Sequence, residues 1–170
     1  MNDGPSRGRA VAGEFIGTAF LLAAVVGSGI MGERLAGGNV AIALLANALA
    51  TGAALVALIV TFGPISGAHF NPLVTLATFS RGRDTIGTVA AFISAQIAGA
   101  VAGVILAHAM FGTPLMAWST HDRSGLPQVL SEAVATFGLI GVIVAGSRRT
   151  PAAVPFAVAA YIVAAYWFTA

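Results

Sequence analysis

The segment Ser66-Gly67-Ala68-His69-Phe70-Asn71-Pro72-Leu73 carries the residue types best placed to act on a passing molecule. Asn is favoured at a helix N-cap and Pro at the first helical position, so Asn71-Pro72 marks a helix start. The run it opens, Asn71 to Ser80, is about ten residues long and rises roughly 15 Å, half of a ~30 Å hydrocarbon core. It is too short to cross a bilayer, and with Leu73, Val74, Leu76, Ala77 and Phe79 it is too apolar for a solvated loop. A half-helix that enters a membrane and leaves on the same side fits both facts. Its N-terminal end is the positive pole of the helix dipole. With the Asn71 amide as a donor, that end suits a neutral polar solute and opposes cations and protons. The plainer alternative is a capped turn between two spans.

The other polar residues of interest are two acids inside apolar runs. Val11, Glu14, Thr18, Leu21 and Val26 recur 118 residues later as Val129, Glu132, Thr136, Leu139 and Val144. Acidic residues are rare in membrane spans, and those that occur usually face the interior and are paired. Glu14 lies close to the start of its run, so snorkelling to the interface is its plain alternative. His108 and His121 have no partners at metal spacing, and the chain has no cysteine, so neither a metal site nor a thiol nucleophile is expected. No nucleophile–base pair appears either, and no cofactor or enzymatic activity is expected.

These residues must be positioned by membrane helices. The chain is 58% hydrophobic and only 8% charged, against about 25% charged in soluble domains. Its mean hydropathy is +0.92. The basic pI of 9.9 reflects a net charge of only +2, spread over scattered Arg residues. A nucleic-acid surface would need clustering on one face, so nucleic acid is excluded as a partner. Five apolar stretches stand out, at roughly 10–32, 40–63, 85–111, 129–147 and 152–170, each near the length needed to cross. Backbone groups in lipid need internal partners, and the alternation of a barrel is missing, so these are helices. Gly37-Gly38-Asn39, Gly63-Pro64, Arg81-Gly82-Arg83-Asp84, Gly112-Thr113-Pro114 and Arg148-Arg149-Thr150-Pro151 separate them. The stretch after Arg7 and Arg9 reads as an uncleaved first span rather than a signal peptide.

The positive-inside rule then fixes an orientation. With the N-terminus inside, Arg7, Arg9, Arg81, Arg83, Arg148 and Arg149 lie inside, and Arg34 and Arg123 outside. This holds only if residues 64–84 begin and end on one side, as a half-helix does. Three spans separate Glu14 from Glu132, so the second copy of the repeat is inverted. Inverted repeats occur in membrane transport proteins, with the permeation site near the midplane.

The string SGAHFNP followed by LVT closely resembles the first signature loop of the major intrinsic proteins, the aquaporins and aquaglyceroporins. Glu-x-x-x-Thr in the first and fourth spans, and Ala95-Gln96-Ile97-Ala98-Gly99-Ala100 in the third, are similar to that family as well. The segments VVGSGIMGERLAGGN and AAYWFTA look most like bacterial aquaglyceroporins of the kind associated with arsenic-resistance operons. The resemblance covers essentially the whole chain. It implies an all-α membrane protein: an aquaporin-like inverted-repeat bundle of five spans plus one re-entrant half-helix, in one domain over 1–170. The first repeat covers about 10–111 and a partial second repeat about 129–170. It further implies passive permeation of water and small neutral solutes such as glycerol or an undissociated metalloid acid such as arsenite. The implied setting is a bacterial inner membrane with a cytoplasmic N-terminus, and an intact chain would form a homotetramer.

By the same resemblance, Gly67, Ala68, His69, Asn71, Pro72 and Leu73 form the pore signature. Thr51, twenty residues before Asn71, resembles the second-span member of the selectivity filter. A large aromatic stands there in narrow water pores, so Thr51 implies a wider opening. Glu14 and Glu132 are implied to be buried scaffold acids, each accepting hydrogen bonds from a loop that carries an Asn-Pro motif. Two departures stand out. Leu73 replaces the usual Ala, and the spacing that separates Asn71 from Glu14 would put a second Asn near 189, beyond Ala170. The second half-helix and the sixth span are therefore expected to be lacking. A truncated, non-conducting channel fragment, or one part of an assembly, is the alternative. A secondary transporter is a weaker one, since only Glu14 and Glu132 could couple ions. Gly13-x-x-x-Gly17 and Gly99-x-x-x-Gly103 read as sites of close helix packing.

Overall fold

The structure is a computed structural model that describes residues 6–82, 85–117 and 124–169. Arg83, Arg123, His121 and Ala170 lie outside the described residues. The described chain forms α1 (Arg7–Leu35), α2 (Val40–Ser66), α3 (Pro72–Phe79), α4 (Ile86–Phe111) and α5 (Leu126–Arg149). A short 3-10 turn (Pro151–Ala153) leads into α6 (Val154–Thr169). Five helical stretches are long and apolar enough to cross a membrane, and α3, at eight residues, is not.

The boundaries follow from side-chain chemistry. Ser6, Asn39 and Thr85 cap α1, α2 and α4 by accepting from Arg9, Ile42 and Thr88 backbone N–H groups, which satisfies donors that a helix start leaves orphaned. Gly67 and Gly112 end α2 and α4 in the left-handed conformation that glycine adopts without steric penalty. Pro151 cannot donate to the preceding turn, so the last crossing starts as a 3-10 turn before the α-helix proper.

Large apolar side chains point outward all round the bundle, among them Phe20, Ile42, Leu49, Val101, Phe137 and Phe156. A helix surface of this kind faces lipid. The interior is made instead by small residues. A Cβ on Gly99 or Gly103 would collide with the backbone carbonyls of Phe15 and Ala19, so α1 and α4 meet backbone to backbone. Membrane helices associate in this way because lipid supplies no hydrophobic drive between them. Gly17 makes room for the Phe70 ring, and Gly13 sits 3.3 Å from Ile65 by the same test.

Two arginines tie the ends of α1 to those of α4. Arg7 donates to the Gly87 carbonyl at 2.5 Å, and Arg34 donates to the Phe111 carbonyl at 3.0 Å with its guanidinium over the Phe111 ring. The start of α1 and the start of α4 therefore share one end of the bundle. The turn after α3 returns to that same end, so α3 goes in and comes back without crossing.

Candidate functional site

The segment between α2 and α3 is shaped by one carboxyl. Glu14 is fully buried on α1. Its Oε1 accepts from the Ser66 hydroxyl at 2.6 Å and from His69 N–H at 3.0 Å. Its Oε2 accepts from Phe70 N–H at 2.8 Å and from the Gln96 amide at 2.7 Å. Four donors thus fill the four lone-pair sites of a carboxylate. The plain alternative, a Glu14 that snorkels to the interface, is not what the structure has. The Gln96 amide reaches on to the Thr75 hydroxyl at 3.0 Å, which lies 3.1 Å from His69 Nδ1 and donates to the Asn71 carbonyl. One connected polar network so joins α1, the loop, α3 and α4.

This network holds an unusual backbone. Gly67, Ala68 and Phe70 all have positive φ, at 87°, 51° and 48°. For the two non-glycine residues the left-handed region costs roughly 1–2 kcal/mol each, and the bonds to Glu14 offset that strain. The N–H groups of His69 and Phe70 face Glu14, and that of Ala68 turns back to the Ser66 hydroxyl at 3.1 Å. No peptide here is cis. In a trans peptide the C=O points opposite to the N–H, so the carbonyls of Gly67, Ala68 and His69 face away from Glu14. Residues 67 to 71 line a cavity on that other side.

Asn71 then starts α3. Its Oδ1 accepts from Leu73 N–H at 2.8 Å and Val74 N–H at 3.4 Å. The side-chain oxygen is committed to the cap, which leaves the Nδ2 amide as the group Asn71 can offer the cavity. Pro72 occupies the first turn, where its missing N–H is no loss. Leu73 is half exposed, on the helix side away from the buried Val74 and Thr75.

The cavity holds about 340 Å³. Beyond the loop its walls are apolar: Leu21, Leu22 and Val25 from α1, Leu55 and Ile59 from α2, and Leu139 and Ile143 from α5. Val154, Val158 and Ile162 close it from α6, with Thr78 and Ser147 as polar residues at the end nearer the α3–α4 turn. Thr51 lines it as well, buried, with its hydroxyl 3.1 Å from that of Tyr166 and donating to Asn47 Oδ1 at 3.4 Å.

The expectation of a buried Glu132 is corrected by the structure. Glu132 is exposed. Among the described residues α5 packs on α6, α3 and the 3-10 turn, and none of these places a donor on its carboxyl. His108 lies 3.1 Å from the Leu115 carbonyl, and among the described residues no group of three ligating side chains could hold a metal. Sequence reasoning gave Gln96, Thr75, Asn47 and Tyr166 no role. Each is a polar group inside an apolar helix, the signal that marked Glu14.

Three comparisons bear on this arrangement. The family model described as Major intrinsic protein matches residues 3–169. Aquaglyceroporin AqpS of Rhizobium meliloti (strain 1021) is 54% identical over 157 residues, covering 92% of this chain and 67% of AqpS. Probable aquaporin TIP2-2 of Oryza sativa subsp. japonica is 34% identical, with 92% and 68% covered. The X-ray structure of the aquaglyceroporin from Plasmodium falciparum superposes with a TM-score of 0.79 at 21% identity, covering 95% of this chain and 72% of that one. The chain thus spans about two thirds of the two curated relatives.

Proposed function

The chain belongs to the major intrinsic protein family, and from that premise we propose that it conducts water and small neutral solutes by the aquaglyceroporin route. Membership makes it a multi-pass membrane channel for water and small solutes. The finer reading is ours: the solutes are polyols of glycerol size and undissociated metalloid acids such as arsenite, moving passively down their gradient. Support for it comes from the similarity to AqpS, whose name is that of an aquaglyceroporin, and from Thr51, a small side chain on the cavity wall.

The observation that carries this reading is the loop of residues 67–71, held by Glu14 on one side and facing a half-apolar cavity on the other. A neutral solute that enters sheds water. The carbonyls of Gly67, Ala68 and His69 accept from its hydroxyls in place of the lost water, one after another, and Asn71 Nδ2 supplies a donor. The opposite wall of Leu, Val and Ile accepts the carbon side of a polyol. An ion would find no compensation there, and the positive pole of α3 repels cations. In this scheme Asn71 and Pro72 aim the half-helix and His69 contributes to the lining. Glu14 is a scaffold acid that carries no proton across. Glu132, on the inverted partial repeat of 129–170, keeps the scaffold role proposed for its copy only if a donor loop meets it.

In the same reading the N-terminus, the α3–α4 turn and the α5–α6 turn are cytoplasmic, because Arg7, Arg9, Arg81, Arg148 and Arg149 gather there. The membrane is the bacterial plasma membrane and the assembly a homotetramer. The test is stopped-flow light scattering on proteoliposomes under osmotic and glycerol gradients. Shrinkage and reswelling faster than in empty liposomes support conduction. Rates equal to empty liposomes overturn it in favour of a non-conducting chain.

A further inference from the structure

The polar groups packed behind the loop decide which ring nitrogen of His69 carries the proton. Nδ1 lies 3.1 Å from Thr75 Oγ1, and the ring stands at 71° to that of the buried Phe92, with centroids 5.5 Å apart. This edge-to-face packing keeps Nδ1, and not Nε2, turned toward α3. Thr75 is fully buried, and its one hydroxyl has three polar neighbours: Gln96, Asn71 and His69.

Only one proton order makes all three contacts hydrogen bonds. Gln96 Nε2 donates to Glu14 Oε2 at 2.7 Å, where a carboxylate can only accept, so the same nitrogen faces Thr75 at 3.0 Å and donates to it. The Asn71 carbonyl, 3.2 Å from Thr75 Oγ1, can also only accept, and it takes the single hydroxyl proton. Oγ1 keeps one lone pair, and His69 Nδ1 must donate to it. Were Thr75 to give its proton to Nδ1 instead, the bond to the Asn71 carbonyl would be lost. One hydrogen bond favours the first order about threefold to tenfold. Gln96 commits both amide protons to it and leaves its own Oε1 buried without a partner among the described residues, a cost that a space-filling apolar residue would avoid.

With the proton on Nδ1, His69 carries a lone pair on Nε2. That nitrogen is the one remote from Thr75. It stands beside Gly67, 3.2 Å from where a Cβ would lie, and both residues line the cavity. We propose that Thr75 is a positioning residue of the conduction path: it holds the His69 proton on Nδ1, so that Nε2 meets passing solutes as an acceptor for their hydroxyls. The acceptor's use rests on the channel reading above. The tautomer itself does not.

The experiment is solid-state nitrogen-15 NMR of the histidine-labelled full chain in liposomes, at a pH where imidazole is neutral, with the His69 signals identified by their loss in His69→Gln. The wild type shows a protonated Nδ1 and a bare Nε2 at His69. In Thr75→Val, which keeps the shape and removes the hydroxyl, an Nδ1–H would face a methyl group, so the proton moves to Nε2. Thr75→Ser restores the wild-type pattern. Glycerol permeability per folded channel falls about threefold to tenfold in Thr75→Val, the loss of one hydrogen bond to the solute, and recovers in Thr75→Ser. A wild type with the proton on Nε2 overturns the inference, and so does an Nδ1–H that persists in Thr75→Val. A tautomer that switches while glycerol permeability stays at the wild-type value overturns the acceptor's use. A wild type that conducts nothing but shows Nδ1–H overturns the channel reading and upholds the tautomer. If Thr75→Val does not fold, the wild-type tautomer decides.

Discussion

Glu14 and Glu132 stand at matching places of two copies of one pattern, and their surroundings differ completely. Glu14 is sealed between α1, α4 and the loop, with a donor on every lone pair. Glu132 is exposed on α5, whose one buried residue is Leu139. The same short motif thus gives a structural centre in one half of the chain and a bare side chain in the other. An acid in a span is neither scaffold nor surface by itself. The segment brought to it decides.

Removing each acid probes this contrast most strongly. Glu14→Ala removes the acceptor of four donors at once, and an unsatisfied buried donor costs about 1–3 kcal/mol. The expected result is a large fall in the thermal midpoint in detergent, followed by circular dichroism, or failure to recover a monodisperse protein. Glu132→Ala is expected to stay within roughly 0.5 kcal/mol of the parent. Equal shifts in the two variants would break the comparison.

Glycines sharpen it at the level of packing. Gly103→Ala drives a methyl into the Ala19 carbonyl across the α1–α4 contact and is expected to destabilise by about 1–3 kcal/mol. On α5, a Cβ at Gly141 meets nothing within 4 Å. Gly141→Ala is expected to leave stability unchanged or raise it by roughly 0.5–1 kcal/mol through helix propensity. The same melting series reads both. A modest stability effect belongs to the half-helix cap. Asn71→Ala removes the acceptor for Leu73 and Val74 N–H and is expected to lower stability by about 1 kcal/mol, with glycerol flux falling by more than that loss of folded protein explains. Flux unchanged per folded molecule would remove Asn71 from the pathway.

Much of this was legible in the sequence, and for identifiable reasons. The five crossings follow from run length and from the Gly, Pro and Arg breaks. The half-helix follows from Asn71-Pro72 opening a run too short to span, and the structure places its cap on that asparagine. What sequence could not give is which polar groups meet. The four partners of Glu14 lie 52 to 82 positions away, and nothing local in Gln96 or Thr75 marks them as one network. Tyr166 was hidden for the same reason, since its partner Thr51 is 115 positions distant. Glu132 differs from Glu14 because no donor among the described residues reaches its carboxyl.

The wiring of Glu14 also imposes an order of assembly on the growing chain. A nascent polypeptide emerges N-terminus first, so Glu14 is made and inserted long before its last partner, Gln96. When residues 66–80 leave the ribosome, three of the four donors to Glu14 are present, but α4 is not, and the half-helix has no wall to lean on. It settles only once α4 has joined α1 at Gly99 and Gly103. The re-entrant piece is therefore completed after the helix that follows it in sequence. A ribosome arrested after residues 66–80 have emerged but before α4 has would hold a chain whose loop lacks Gln96 and the wall that α4 provides.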